Sequence, residues 1–177
     1  MIRLSASLIK DYLSCRKKGF YRINHPEQAI KTDDMIIGEI VHKVIEEDWN
    51  KDMLFALEHA QKIKEGYNIV DPDPKRLNRL NRCIKNFFIN FKYLIRNDDE
   101  IEKFFRVPFL EDIAIMTGKM DRVTKDVIII DWKTGGTFPK SIDNDIQFII
   151  YYISYKQIYK EYPKKVFFVS LDKGKLI

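Results

Sequence analysis

The segment Ile128-Ile129-Ile130-Asp131-Trp132-Lys133-Thr134-Gly135 runs a β-branched apolar stretch into an acid, one spacer and a lysine. Upstream, Gly118-Lys119-Met120-Asp121 places a second acid near the end of another strand-like segment. Carboxylates are the hard oxygen ligands that magnesium and manganese prefer. A cation held there could lower the pKa of a bound water and stabilise charge on a phosphodiester. Asp131 and Lys133 are two apart, so a strand points both to one face, where the ammonium could hold a water or phosphate oxygens. Trp132 points the other way and leaves its backbone carbonyl for the cation. The spacing favours metal-dependent phosphodiester hydrolysis. The competing reading is acids and a lysine decorating exposed strand ends.

Two further groups could complete such a site. His42 lies in an apolar-striped segment, with Gly38 one turn before it and Ile45 and Trp49 following on nearly the same face. Alone it would read as a satisfied core histidine. A helical glycine costs roughly 0.8–1 kcal/mol relative to alanine, so Gly38 points to a close backbone approach. Gln147 and Tyr151 are four apart and share a helix face, either as an ordinary flank or as a contact to phosphate or base.

The elements that must position these residues follow from periodicity. Ser5 to Lys17 has an N-cap serine and helical spacing through Leu8, Ile9, Tyr12 and Leu13. Asp34 to Asn50 repeats the pattern, with Asp33 or Asp34 as cap, and a shorter helix from Asp52 to Lys64 ends at Gly66. Asp71-Pro72-Asp73-Pro74 punctuates the chain before a long helix to about Arg96. Ile101–Leu110, Ile113–Val123 and Val127–Asp131 read as three consecutive strands turning at Glu111-Asp112 and Lys125-Asp126. A loop with Gly135, Gly136 and Pro139 leads to a helix from Asp143 to Glu161, and Val166–Leu171 is a last strand.

Composition bounds the class. The chain has 177 residues, 45% hydrophobic and 32% charged, with a net charge of +5. That length fits one domain burying roughly 70% of its unfolded surface. No apolar run approaches the roughly 20 residues of a membrane span, and Met1-Ile2-Arg3-Leu4-Ser5 opens no secretory leader, so the expected location is the cytoplasm, or the host cytoplasm for a viral protein. Cys15 and Cys83 are too few for a disulfide framework. The positive balance is compatible with a polyanion.

In order along the chain, Leu4-Ser5-Ala6-Ser7-Leu8-Ile9, Tyr12-Leu13-Ser14-Cys15, Phe20-Tyr21, Gly38-Glu39-Ile40-Val41-His42, Gly118-Lys119-Met120-Asp121-Arg122-Val123, Asp131-Trp132-Lys133-Thr134-Gly135 and Gln147-Phe148-Ile149-Ile150-Tyr151 together resemble the RecB-like branch of the PD-(D/E)XK nuclease superfamily. That branch includes CRISPR-associated RecB-type exonucleases. The resemblance spans nearly the whole chain. It implies an α/β fold with a restriction-endonuclease-like core, a central mixed β-sheet flanked by helices and an N-terminal helical portion, in a single domain over residues 1–177. It implies His42, Asp121 and Asp131 as ligands of Mg2+ or Mn2+, completed by the Trp132 backbone carbonyl, with Lys133 as the catalytic lysine. Gln147 and Tyr151 would orient DNA or brace the site. Several relatives hold an iron–sulfur cluster on one N-terminal and three C-terminal cysteines. Only Cys15 matches that set, so no cluster is expected.

The expected activity is a metal-dependent deoxyribonuclease, by family analogy an exonuclease in DNA recombination, repair or replication. The alternative is a non-catalytic DNA-binding or scaffold module of a recombination or replication complex. RNA as substrate and homo-oligomer formation stay open. Lys75, Arg76, Arg79, Arg82, Lys85, Lys92 and Arg96 share one helix without an acid. They form either a solvated face or a DNA-binding one, with Arg76, Arg79, Arg82 and Lys85 as the contacts. Lys10, Lys17 and Lys18 could extend that patch. Glu102 is either an approach to the cation or an edge-strand surface acid.

Overall fold

The computed structural model describes residues 1–26, 31–67, 73–111, 113–135 and 145–176. Its sheet has six strands: β1 (Ile2–Leu4), β2 (Glu100–Phe109), β3 (Ala114–Val123), β4 (Ile128–Lys133), β5 (Lys165–Ser170) and β6 (Lys175–Leu176). β3 is the hub. Along one edge it pairs antiparallel with β2. Along the other it pairs parallel with β1 through Ala114–Met116 and antiparallel with β4 through Arg122 and Val123. Residues 117–121 of β3 have no strand partner on that second edge among the described residues, which leaves a notch between β1 and β4. β4 pairs parallel with β5, and β5 antiparallel with β6. Parallel neighbours need a crossover, and the helix between β4 and β5 supplies it.

The three central strands and the last long one fall where alternation predicts them, within two residues at each end. β1 and β6, of three and two residues, were not expected; segments that short carry no readable periodicity. The single helix expected over residues 5–17 is instead two, α1 (Ala6–Ser14) and α2 (Arg16–Asn24), broken at an extended Cys15 (φ −156°). Gly19 of α2 lies against Tyr12 of α1 so closely that a Cβ there would sit 2.5 Å from the Tyr12 Cα. That contact requires the chain to fold back, which no one-dimensional pattern reports.

α3 (Asp33–Asp48) is capped by Thr32, whose hydroxyl accepts from the Met35 N–H, and not by Asp33 or Asp34. The two acids occupy its first turn, where they favour the positive end of the helix dipole. α4 (Met53–Glu65) starts at Asp52 and stops at Gly66. α5 (Pro74–Asn86) has its proline in the first turn and Asp73 as cap. The helix expected to reach Arg96 continues only as a π turn over Phe87–Phe91 and a 3-10 turn over Lys92–Leu94, a path that buries both Phe87 and Phe91. α6 (Ile146–Tyr159) is capped by Asp145 and ends at a left-handed Lys160. The expectations on Asp71, Pro72, Asp112, Gly136, Pro139 and Asp143 fall outside the described residues. No described helix is long and apolar enough to cross a membrane.

Helices cover both faces of the sheet. Ile40, Val41 and Val44 of α3, Ala56 and Ala60 of α4, and Leu80, Cys83 and Ile84 of α5 close over Ile130 and Trp132 of β4. Each large aliphatic buried this way contributes roughly 1.5–3 kcal/mol. Ile150, Tyr151 and Tyr155 of α6 close over Phe105, Val107, Met120 and Ile129 on the opposite face. β4 therefore alternates between two apolar layers, which explains its unbroken apolar run. The architecture is mixed α/β, with a central mixed sheet flanked by helices.

Candidate active site

The registers of β2, β3 and β4 bring three acids to one rung. Arg122 faces Ile130 and Val123 faces Ile129, so continuing the register sets Asp121 across from Asp131. The ladder stops there, and the Trp132 N–H donates instead to Asp121 Oδ2 at 2.7 Å. On the other side, Ile101–Arg122 and Lys103–Met120 pairs flank Glu102 and Asp121, whose own pair is skipped. Glu102 takes a left-handed backbone (φ +47°), a strained state for a residue with a Cβ. Alternation slips at the same place. Met120 and Val123 both pack under α6, whereas Arg122 between them stacks its guanidinium 5.2 Å from the Trp49 ring at the end of α3.

α3 supplies the fourth group. His42 Nδ1 lies 3.5 Å from Asp121 Oδ1 and 3.8 Å from Glu102 Oε1, and one ligand atom from each of the three residues falls within a 4.8 Å cluster. Gly38 explains the close approach. A Cβ on it would come within 3.2 Å of Thr134 Oγ1, just past the end of β4. Burial opposes charging His42, but the neighbouring carboxylates of Asp121 and Glu102 outweigh it and hold its pKa well above the usual imidazole range. His42, Gly38 and Glu102 open onto a cleft of about 550 Å³ that also includes Glu46 and Lys119.

α6 supplies the rest. Its N-cap Asp145 fixes the first turn through the Gln147 N–H at 2.8 Å. The Gln147 side chain then bridges two site residues, accepting from Lys133 Nζ and donating to Asp131 Oδ1, each at 2.7 Å. The Tyr151 hydroxyl lies 2.6 Å from Asp131 Oδ1 and 2.9 Å from the Lys119 carbonyl, which the notch leaves without a strand partner. Burial, and then the charges of Asp131 and Asp121, hold that phenol protonated far above its usual range. Lys133 Nζ sits 2.5 Å from Asp131 Oδ2 and 4.7 Å from the centre of the Phe168 ring. Asp131 is 2% exposed. Burial first, and then repulsion from Asp121, push its carboxyl up to about 6 against the opposing pull of Lys133 and Tyr151.

His42, Asp121, Asp131, Lys133, Gln147 and Tyr151 thus converge from four elements. The Trp132 side chain turns away into the α5 layer, edge-on to Phe87. Glu102, left undecided by the sequence, is the addition; its signal was a register position opposite Asp121. Arg76, Arg79 and Arg82 lie elsewhere and hold carboxylates. Arg76 pairs with Asp33 at 2.6 Å, Arg79 with Asp34 at 2.6 Å, and Arg82 with Asp172 through Nε at 2.9 Å. Lys85 is exposed on the same helix. Lys10 and Lys18 are also paired, with Asp145 and Asp11.

The donor set fits a hard divalent cation. Glu102, Asp121 and Asp131 offer carboxylate oxygens, and His42 offers one imidazole nitrogen. Asp131 Oδ2 is buried without an aligned hydrogen-bond donor, despite the nearby ammonium. Each acid is meanwhile balanced by a cation of the chain itself: Glu102 by Lys119, Asp121 by His42 and Asp131 by Lys133.

The PD-(D/E)XK nuclease superfamily model matches residues 3–177. Among solved structures, a candidate exonuclease from Eubacterium rectale superposes with a TM-score of 0.66 at 16% identity, over 99% of this chain and 71% of that one. At that identity the likeness is one of fold. No curated protein matches the sequence.

Proposed function

The chain belongs to the PD-(D/E)XK nuclease superfamily, and on that premise we propose that it hydrolyses DNA phosphodiester bonds with Mg2+ or Mn2+, as an exonuclease of the RecB-like branch serving recombination, repair or replication. The reading treats residues 1–177 as one nuclease domain. One observation supports it above the others. The rung shared by Glu102, Asp121 and Asp131 faces His42 of α3 and, on the other side, Gln147 and Tyr151 of α6, with Lys133 two residues along β4.

A divalent cation held by His42, Asp121, Asp131 and the Trp132 carbonyl, with Glu102 beside them, would supply Lewis acidity at the scissile phosphate. The chain's own groups do the rest. Gln147 fixes the Lys133 ammonium at the Asp131 carboxylate, where it can orient the attacking water and offset negative charge on the phosphate. Tyr151 and the Gln147 amide both donate to Asp131 Oδ1, which keeps the other oxygen, Oδ2, turned to the site.

The test incubates purified protein with labelled linear DNA, circular DNA and RNA in magnesium or manganese, with Lys133→Ala as control. Cleavage of linear DNA from its ends, absent in Lys133→Ala, is the expected result. Cleavage that survives Lys133→Ala refutes the site, and a circle cut as readily as a linear molecule refutes an end requirement. Preference for RNA moves the substrate, and no cleavage at all favours the scaffold reading.

A further inference from the structure

The metal cleft does not stand alone. Lys119 lines both it and a second cleft of about 210 Å³, walled by Ser5 and Ser7 at the start of α1 and by Gln147 and Tyr151 of α6. Ser5 in turn lines both the second cleft and a third, of about 560 Å³, between β1 and the end of α2. Lys119 and Ser5 are thus each shared by two clefts, and the succession runs from the His42–Glu102 cleft toward the N-terminal helices.

The walls of the third cleft say what it accepts. Among the described residues, Arg3 and Arg22 line it with no carboxylate, beside the aliphatic surfaces of Ile2, Leu8 and Ile23. Residues 1–26 carry Arg3, Lys10, Arg16, Lys17, Lys18 and Arg22 against one acid, Asp11. That carboxylate is engaged by Lys18 and Arg22. Past Leu8 the apolar surface continues to Tyr12, which is 44% exposed. Cationic groups alternating with apolar and aromatic faces match phosphates alternating with bases. A duplex hides its base faces and an acidic peptide has none, so the complement is a single strand.

We propose that a single polynucleotide strand runs from the catalytic rung over Lys119, between Ser5–Ser7 and Gln147–Tyr151, into the Arg3–Arg22 cleft, which holds the nucleotides beyond the scissile phosphate. This deepens the nuclease reading and rests on it for the identity of the strand. The basic face of α5 borders none of these three clefts and is then a secondary contact at most.

The experiment uses metal-free protein in EDTA, where no cleavage intervenes. An oligodeoxynucleotide of about twelve residues carrying 4-thiothymidine is bound, irradiated, and its cross-links mapped to peptides. Cross-links to peptides within residues 1–26 together with Lys119 are expected, and cross-links confined to residues 75–96 overturn the path. In parallel, Arg3→Glu should weaken binding of the same probe about tenfold and lower the salt slope by about one. Lys175→Glu, the same charge change on β6, should weaken it less than about twofold. Equal weakening by both substitutions overturns the cleft as a specific contact. Cross-links within residues 1–26 from a protein that cleaves nothing would keep the path and sink the nuclease reading. Cleavage with cross-links only on α5 would do the reverse.

Discussion

Glu102 and Asp121 face each other across β2 and β3, yet their pair is skipped while the pairs on both sides form. The left-handed backbone of Glu102 breaks the ladder there, and its carboxylate comes within the His42–Asp121 cluster. Strain held at a position surrounded by chemistry-bearing groups points to a functional constraint.

Glu102→Gln should therefore lower manganese affinity at least about tenfold by isothermal titration, and shrink the metal-induced rise in Tm. Metal-free stability should shift by less than about 1 kcal/mol, because the lost Lys119 pair is exposed on the lysine side. Unchanged manganese affinity would return Glu102 to the status of a strand-surface acid.

Tyr151→Phe removes a hydroxyl held against buried Asp131 Oδ1 and the Lys119 carbonyl. Its one proton serves one of those acceptors at a time, and losing that donor should cost about 1–3 kcal/mol in urea unfolding. kcat should fall, since the hydroxyl positions Asp131. A KM effect with kcat intact would contradict that role.

Asp131 gives the metal-free protein a pH signature. Its folded carboxyl titrates at about 6 against an ordinary value of 3.8, with burial as the main cause. Between those values the folded state binds more protons than the unfolded state, so stability falls as pH rises through that window. Urea unfolding in EDTA should show this decline, and Asp131→Asn should flatten it. Identical pH profiles for the two proteins would remove Asp131 as the source.

The two thiols should separate kinetically. Cys15 is exposed, whereas Cys83 is buried under α5 with its thiol pushed up to about 12 by burial. Iodoacetamide at mildly alkaline pH should modify one cysteine in the native protein, Cys15 by peptide mapping, and both in denaturant. Native labelling of Cys83 would mean that the α5 layer opens.

Gly118 meets the Phe105 ring, where an added Cβ would lie 2.5 Å from the ring edge. Phe105 in turn packs edge-on against Tyr151. Gly118→Ala should cost about 1–3 kcal/mol by overpacking. A stability within error of the parent would show that the ring moves freely.

Much of the site was legible because its signals are local. Asp131 and Lys133 share a face by alternation, Gln147 and Tyr151 by helical spacing, and Gly38 marked the close approach at Thr134. The order of helices and strands followed from the same periodicities. The break at Cys15 was not legible, because it depends on Gly19 meeting Tyr12. Nor could sequence pair Arg76, Arg79 and Arg82 with Asp33, Asp34 and Asp172, which join helix to helix and helix to sheet.

The sequence by itself determined which side chains are available and which short-range faces they share, since turn, cap and period are set within a few residues. Only the tertiary structure decided that Glu102, Asp121 and Asp131 lie on one rung, that His42 reaches it from α3, and that Lys119 is a wall of two clefts. Register, a slipped alternation and the gap between β1 and β4 depend on how distant segments pack, and no local pattern encodes them.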